Sequence, residues 1–503
     1  MQARFKPLAH HDAVRTRMAG TLSYSELERQ TARLANALAY HRVRVGDRVA
    51  VQVEKSVEAL VLYLSCLRSG AIFVPINTAY KARETVQILD DAAPSLIVCG
   101  SDREAALRDY VATSGLNARL ATLNADGSGS LSQLAAEMSP QHECAPLGGE
   151  DPAVILYTSG TTGRPKGAIL SNRALLTNAE TLVGQWSFTP QDVLLHCLPL
   201  FHAHGLFVAA NVALLAGATM LWVERFDADE VISRFSDTTV FMGIPTLYSR
   251  LLSSKRLTAE NCHRVRLFLS GSAPLSENMF EQFFSRTGIR IVERYGMTET
   301  GINSSNPIDG PRVAGTVGLP LPGIEIRAVD IDGNRLSNND TGEIQIRGPN
   351  LFSGYWNRNE EYLAAMSPDG WFSTGDVGRF DQNGYLALLS RKKDVIITGG
   401  YNVYPAEIET VLESLTEIAE AAVFGVPHHD FGEGVAAAVV LRKGYESNFN
   451  EARILAQLKT RLANYKIPKR IVTIASLPRN PMGKILKPEL RAKYSTMFSA
   501  PNP

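Results

Sequence analysis

Helix-patterned and strand-patterned segments alternate from Tyr24 to about Val313, and this alternation narrows the possible folds more than any other feature. Tyr24 to Arg42 carries Leu27, Leu34 and Leu38 at helical spacing, and the strand-like Arg48-Val49-Ala50-Val51-Gln52-Val53 follows. An apolar helix around Val57 to Arg68 leads into Ala71-Ile72-Phe73-Val74-Pro75, and the rhythm returns at Leu96–Cys99 and Ala153–Tyr157. Such alternation predicts parallel sheets covered by helices.

The texture then changes. Turn signals at Asp332-Gly333-Asn334, Asn339-Asp340, Asp369-Gly370 and Asn383-Gly384 separate short strands, which predicts an antiparallel or barrel-like subdomain. After Arg391 a small α+β unit is expected, with strands near Ala421–Val426 and Val435–Leu441. Its helix should place Leu455, Leu458, Leu462 and Tyr465 on one face. A chain of 503 residues exceeds what one core can organise. The expected architecture is therefore α/β with α+β: a large N-terminal domain, residues 1–392, of two helix-covered sheets plus the barrel-like part, and a small mobile domain, residues 393–503.

Lys plus Arg and Asp plus Glu number 51 each, so no global field favours nucleic acid or an anionic membrane. Cys66, Cys99, Cys144, Cys197 and Cys262 are scattered without CxxC spacing, which fits a reducing, cytoplasmic setting better than a disulfide or zinc framework. The first twenty residues hold Arg4, Lys6, Arg15 and Arg17 but no apolar core, so a secretory signal is not expected. Leu206–Val223 is long and apolar, but Ala216-Gly217 splits it into a helix-like half and a strand-like half, so it reads as core rather than a membrane span.

The strongest local signal is Tyr157-Thr158-Ser159-Gly160-Thr161-Thr162-Gly163-Arg164-Pro165-Lys166-Gly167, directly after a buried strand. Its glycines allow close backbone approach to a polyphosphate, its amides and hydroxyls donate, and Lys166 adds charge. It is not a Walker loop, because Gly167 stands where Ser or Thr should follow the lysine.

This loop resembles the phosphate-binding signature of the adenylate-forming superfamily, which includes acyl-CoA synthetases, firefly-type luciferases and peptide-synthetase adenylation domains. Further motifs match in order: Gly271-Ser272-Ala273-Pro274, Tyr295-Gly296-Met297-Thr298-Glu299, Thr374-Gly375-Asp376, Ser390-Arg391-Lys392-Lys393-Asp394 and Pro478-Arg479-Asn480-Pro481-Met482-Gly483-Lys484. The resemblance implies ATP, Mg²⁺ and coenzyme A as reagents. It implies that Thr158 to Gly163, Lys166 and Thr298 hold phosphate oxygens, and that Gly271, Ser272 and Ala273 border the adenine. Tyr295, with Gly296 and Met297, would pack on the base, and Asp376 and Arg391 would take the ribose. Glu299 would be the magnesium ligand, and Lys484 would meet charge developing on the phosphoryl group. A hinge at Lys393 would swing Gly399-Gly400 beside the coenzyme A path, although this chain reads Ile397-Thr398 where many relatives carry a lysine.

The acid itself leaves a trace. Arg294 precedes the motif tyrosine, where a small residue is common, and Arg250 follows Pro245-Thr246-Leu247-Tyr248-Ser249, a segment bordering the same pocket in relatives. A buried arginine is tolerated if the substrate brings a second carboxylate for a bidentate fork. His202 could donate a further hydrogen bond. Glu293–Glu299, His202–Phe207 and Ile397–Pro405 also resemble the malonyl-CoA synthetases, which implies malonate, or methylmalonate, as substrate. Arg294 paired to Glu293, a solvated Arg250 and a core histidine are the competing readings of the same residues. At the level of function, the alternatives are a ligase for a short or aromatic monocarboxylate and a non-catalytic nucleotide binder.

Overall fold

Ser23 opens the first long helix, Tyr24–Tyr40, with a capping box: its hydroxyl accepts the Glu26 amide at 3.3 Å while the Glu26 carboxylate accepts the Ser23 amide at 2.8 Å. The next helix, Val57–Ser69, starts on the Ser56 hydroxyl and stops at Gly70, whose φ of 74° gives the left-handed C-cap that a side chain would resist. The computed structural model describes residues 6–16, 20–158, 165–446, 449–480 and 483–498. Ser159, Gly160, Thr161, Thr162 and Gly163 lie outside the described residues.

Two large sheets carry the first part of the chain. In the seven-stranded sheet the strands Ile72–Pro75, Arg48–Gln52, Leu96–Cys99 and Arg119–Thr122 run parallel, with Pro152–Thr158 parallel to Ile72–Pro75. Lys166–Ser171 then runs antiparallel beside Pro152–Thr158. In the nine-stranded sheet the parallel strands include Thr219–Trp222, Val193–His196, Val240–Gly243, Leu267–Ser270 and Val292–Met297. Buried apolar runs of this kind need helices on their faces, as the alternation predicts. Lys55 ties the two sheets together: its ammonium donates to the carbonyls of His196 and Val223, both at 2.7 Å, and lies 4.4 Å above the Trp222 ring. Burial pushes that ammonium down to about 7.

Leu206–Val223 is buried, and no helix among the described residues is long and apolar enough to cross a membrane. The winding of its first half is not the expected α-helix. His204–Ala210 forms a π-helix, Asn211–Ala216 continues as α-helix, and Gly217 at φ 74° ends it before the strand Thr219–Trp222.

The third sheet, Glu325–Val329, Gly342–Arg347, Phe372–Phe380 and Leu386–Arg391, is antiparallel throughout and open at both edges rather than a closed barrel. Its turns fall at Gly333, Asn339, Gly370 and Gly384, all with positive φ. The last sheet pairs Ile418–His428 with Gly432–Leu441 and adds Ile396–Thr398, Tyr401–Val403 and Arg470–Thr473. The two apolar clusters on its faces draw only on residues from Ile396 onward. Here the expected helix is shorter than its apolar stripe: it spans Glu451–Lys459, and Tyr465 lies half-exposed in a 3-10 turn, stacked on Tyr401 at 4.8 Å.

Candidate active site

In a parallel sheet, ligands gather beyond the carboxyl ends of the strands. Gly271, Ser272 and Ala273 follow the strand Leu267–Ser270, Thr298 and Glu299 follow Val292–Met297, and His202 and His204 follow Val193–His196. Within Val292–Met297, successive side chains serve different surroundings, as the period of two requires. Glu293 accepts the Leu275 amide at 3.0 Å, and burial lifts its carboxyl to about 8.

Tyr295 belongs to a saturated network. Its hydroxyl donates to Asp376 Oδ2 at 2.5 Å, and Asp376 Oδ1 meets Arg391 Nε at 2.7 Å. The register of the third sheet sets that ion pair, because Asp376 and Arg391 face each other across adjacent strands. Arg391 Nη1 donates to the Thr374 carbonyl at 3.1 Å, and the Asp376 amide donates to the Thr374 hydroxyl at 3.0 Å. Burial works against the Arg391 charge, but Asp376, Tyr295 and Glu299 hold it protonated. Gly296 is forced by a close approach, since a Cβ there would collide with the carbonyl of Gly301.

Glu299 is buried and accepts the Tyr355 hydroxyl at 3.0 Å. Burial raises its pKa, opposed by Tyr355 and Arg391. Among the described residues no three His, Cys, Asp or Glu converge to cage a metal. One carboxylate with open positions for phosphate oxygens and water is the donor set that suits Mg²⁺. Thr298 is half-buried beside Glu299 at the turn, and Met297 is half-buried at the strand end.

The surroundings of Arg294 are the opposite case. Arg294 is only 4% exposed, makes no ion pair among the described residues, and leaves Nε and Nη2 without partners. Burial lowers its pKa to about 10, and the Tyr248 hydroxyl opposes that shift. Gly271 makes room for it, since a Cβ there would collide with the guanidinium. Tyr248 is fixed by a hydrogen bond to the Leu269 carbonyl at 2.8 Å and by edge contacts with Phe241 and Phe283. Arg294 therefore does not pair with Glu293.

His204 joins this side although sequence reasoning chose His202. It is 3% exposed, shares a hydrogen bond with the Ser272 hydroxyl through Nδ1 at 3.2 Å, and leaves Nε2 unpartnered. Burial, then Arg294 and the neighbouring histidines, push its pKa well down, so it faces the arginine as neutral imidazole. Ser272 holds φ 70°, a conformation that costs a non-glycine residue energy and aims its hydroxyl at His204. His202 is half-buried against Phe201, and burial lowers it to about 4. Arg250 is exposed in the last turn of the helix Pro245–Ser253, and no contact joins it to Arg294.

Lys166 sits opposite Thr158 on the adjacent strand. Its ammonium pairs with Glu361, a partner missed by sequence reasoning, which Arg358 also holds at 3.0 Å. Lys484 enters from the C-terminal unit and lies among Arg391, Asp376, Asp394 and Lys393. Desolvation, then Arg391, lower its ammonium to about 8. Lys393 is exposed in the turn Lys392–Asp394, and Gly399 and Gly400 form the exposed tip of the hairpin from Ile396 to Val403. The lysine end of the C-terminal unit thus faces the cleft while its glycine hairpin points to solvent.

Residues 2–356 match the model of the AMP-binding enzyme family, and residues 407–484 match the AMP-binding enzyme C-terminal domain. The ATP-bound crystal structure of MatB from Rhodopseudomonas palustris is 46% identical, with 99% of each chain covered and a TM-score of 0.96. A malonate–CoA ligase of Arabidopsis thaliana is 34% identical over 89% of this chain and 78% of its own. An indoleacetate–CoA ligase of Aromatoleum aromaticum is 36% identical over 93% of this chain and 92% of its own.

Proposed function

The chain belongs to the AMP-binding enzymes, and from that premise we propose that it joins malonate, with methylmalonate as the nearest variant, to coenzyme A through a malonyl-adenylate. It is an AMP-forming acid–CoA ligase, working on small molecules: ATP with Mg²⁺, coenzyme A and a carboxylic acid. The observation that carries malonate is the buried, unpaired Arg294 with His204 Nε2 beside it. A buried donor left without a partner costs about 1–3 kcal/mol, more when charged. A second carboxylate on the substrate satisfies these donors, whereas an aromatic or short monocarboxylate leaves them stranded. Similarity alone does not choose, because the indoleacetate ligase is as alike as the malonate ligase.

In this reading Arg294 and His204 hold the distal carboxylate, with Arg250 and His202 outside them, and the proximal carboxylate attacks the α-phosphate. Tyr295, Gly271, Ser272 and Ala273 border the base, while Asp376 and Arg391 take the ribose hydroxyls. Thr158, the loop to Gly163, Lys166 and Thr298 hold phosphates, and Glu299 holds Mg²⁺, which screens the approach of two anions. Lys484 donates to the α-phosphate region as charge moves to pyrophosphate. We place the domain boundary at 392/393, with residues 393–503 turning about Lys393 so that Gly399 and Gly400 line the thiol path. Four of the five cysteines are buried, and their scatter without CxxC spacing suits a cytoplasmic setting.

ATP–pyrophosphate exchange tests the substrate. Malonate should support it at least about tenfold better than acetate, propionate, benzoate or indoleacetate, the discrimination expected when buried polar groups go unpaired. Equal exchange with any of these monocarboxylates rejects the two-carboxylate reading.

A further inference from the structure

The turn that carries Lys484 is stiff. The Asn480 amide donates to the Lys484 carbonyl at 2.9 Å, the Gly483 amide to the Asn480 carbonyl at 2.9 Å, and the Lys484 amide to Asn480 Oδ1 at 3.0 Å. Arg479 anchors the turn from both ends, donating to the Gly483 carbonyl at 2.5 Å and pairing with Glu420 on the strand Ile418–His428 at 3.0 Å. Gly483, whose amide closes that turn, is buried with φ 75°. It is buried by the other unit: a Cβ there would come within 2.8 Å of Thr246 Oγ1, 2.9 Å of Thr246 Cγ2 and 3.4 Å of Ile244 Cδ1. Polar links elsewhere between the units include Arg379 to Glu407 at 3.9 Å, Asn278 to the Glu413 carbonyl at 3.5 Å and a Ser276 hydrogen bond to the Glu413 side chain.

We propose that Thr246 and Gly483 form the seat on which the lysine-bearing turn docks for adenylate formation, with the missing Cβ of Gly483 setting how deeply Lys484 enters. This rests on the reading that Lys484 serves the first half-reaction. The seat lies on the helix Pro245–Ser253, whose Tyr248 neighbours Arg294, so the surface that receives the lysine is built on the wall of the acid pocket. Thr246 and Gly483 are positioning residues and touch no reacting atom. Because the turn is closed by its own hydrogen bonds, it cannot bend away from an added methyl group, and the whole unit must back off. When the C-terminal unit turns to present its glycine hairpin, this contact is broken and Gly483 is free of Thr246.

The test compares half-reactions in the full-length enzyme. Gly483→Ala should lower malonate-dependent pyrophosphate exchange about 10- to 100-fold, the range for overpacking a close contact. Thioester formation from supplied acyl-adenylate and coenzyme A should stay within about twofold of the parent. Thr246→Ala with Gly483→Ala should regain at least about fivefold over Gly483→Ala, the remaining deficit reflecting the φ that alanine disfavours. No rescue in the double variant, or equal loss in both half-reactions, overturns the seat. Lys484→Ala is run beside them: normal exchange in that variant sinks the functional reading itself, whereas lost exchange there with no effect of Gly483→Ala sinks only the seat.

Discussion

Arg294 and Tyr295 are neighbours on one strand and live under opposite rules. Tyr295 looks into a network in which no buried side-chain donor or acceptor is left alone: Tyr295, Asp376, Arg391 and Thr374 bond one another. Arg294 is buried where the protein supplies donors and leaves two of its nitrogens without an acceptor. The first arrangement is pre-organised and stabilises the fold. The second is a debt that only a ligand settles. Under the proposed function the contrast would place selectivity at Arg294, since a nucleotide site already satisfied by itself would serve many acids, while unsatisfied donors would choose among them.

Arg294→Met should break the contrast most visibly. Malonate-dependent kcat/KM should fall roughly 10²- to 10³-fold, the scale for truncating one partner of a buried charge pair. The fold should gain about 1–3 kcal/mol in denaturant unfolding, because an unpaired buried charge is removed. Asp376→Asn should do the reverse to stability and lose a similar amount, since it unpairs Arg391. If both variants lose stability alike, the two sides of the strand do not differ as described.

A pH series sharpens the same comparison. Lys484, held near about 8, is charged below that value and neutral above it. The kcat/KM for ATP in exchange should therefore fall up to about tenfold per pH unit once pH rises through about 8. Arg294, held near about 10, keeps its charge, so the malonate KM should stay flat to about pH 9. Parallel decline of both parameters would tie the two sites to one titration. The smallest effect expected is that of Tyr295→Phe, which removes one hydrogen bond to Asp376 and should raise the KM for ATP about 2- to 10-fold.

Much of the fold was legible because turns and periods are local. Gly217, Gly333, Gly370 and Gly384 end or reverse elements at the predicted places, each with positive φ. What escaped depends on winding and on distant partners. The resemblance pointed to His202, and a 3.6-residue period does not describe His204–Ala210, the segment that buries His204. Arg250 follows the helix to its exposed face, which an apolar segment name does not reveal. The stripe from Leu455 to Tyr465 outruns its helix because the chain turns after Lys459 to start the strand Arg470–Thr473. Nothing near Lys166 in the chain announces Glu361, almost two hundred positions later.

The winding of His204–Ala210 carries a consequence for how such an enzyme drifts to new acids. A π-turn is one residue more than an α-helix needs, and here it is pinned at its far end, where the Asn211 amide bonds the Tyr63 hydroxyl at 3.1 Å. Deleting a single residue from the segment would let it relax to regular winding and swing His204 by about 100° about the helix axis, with Asn211 still anchored. If His204 holds the acid as proposed, changes of chain length, and not substitutions alone, would retune what this enzyme accepts.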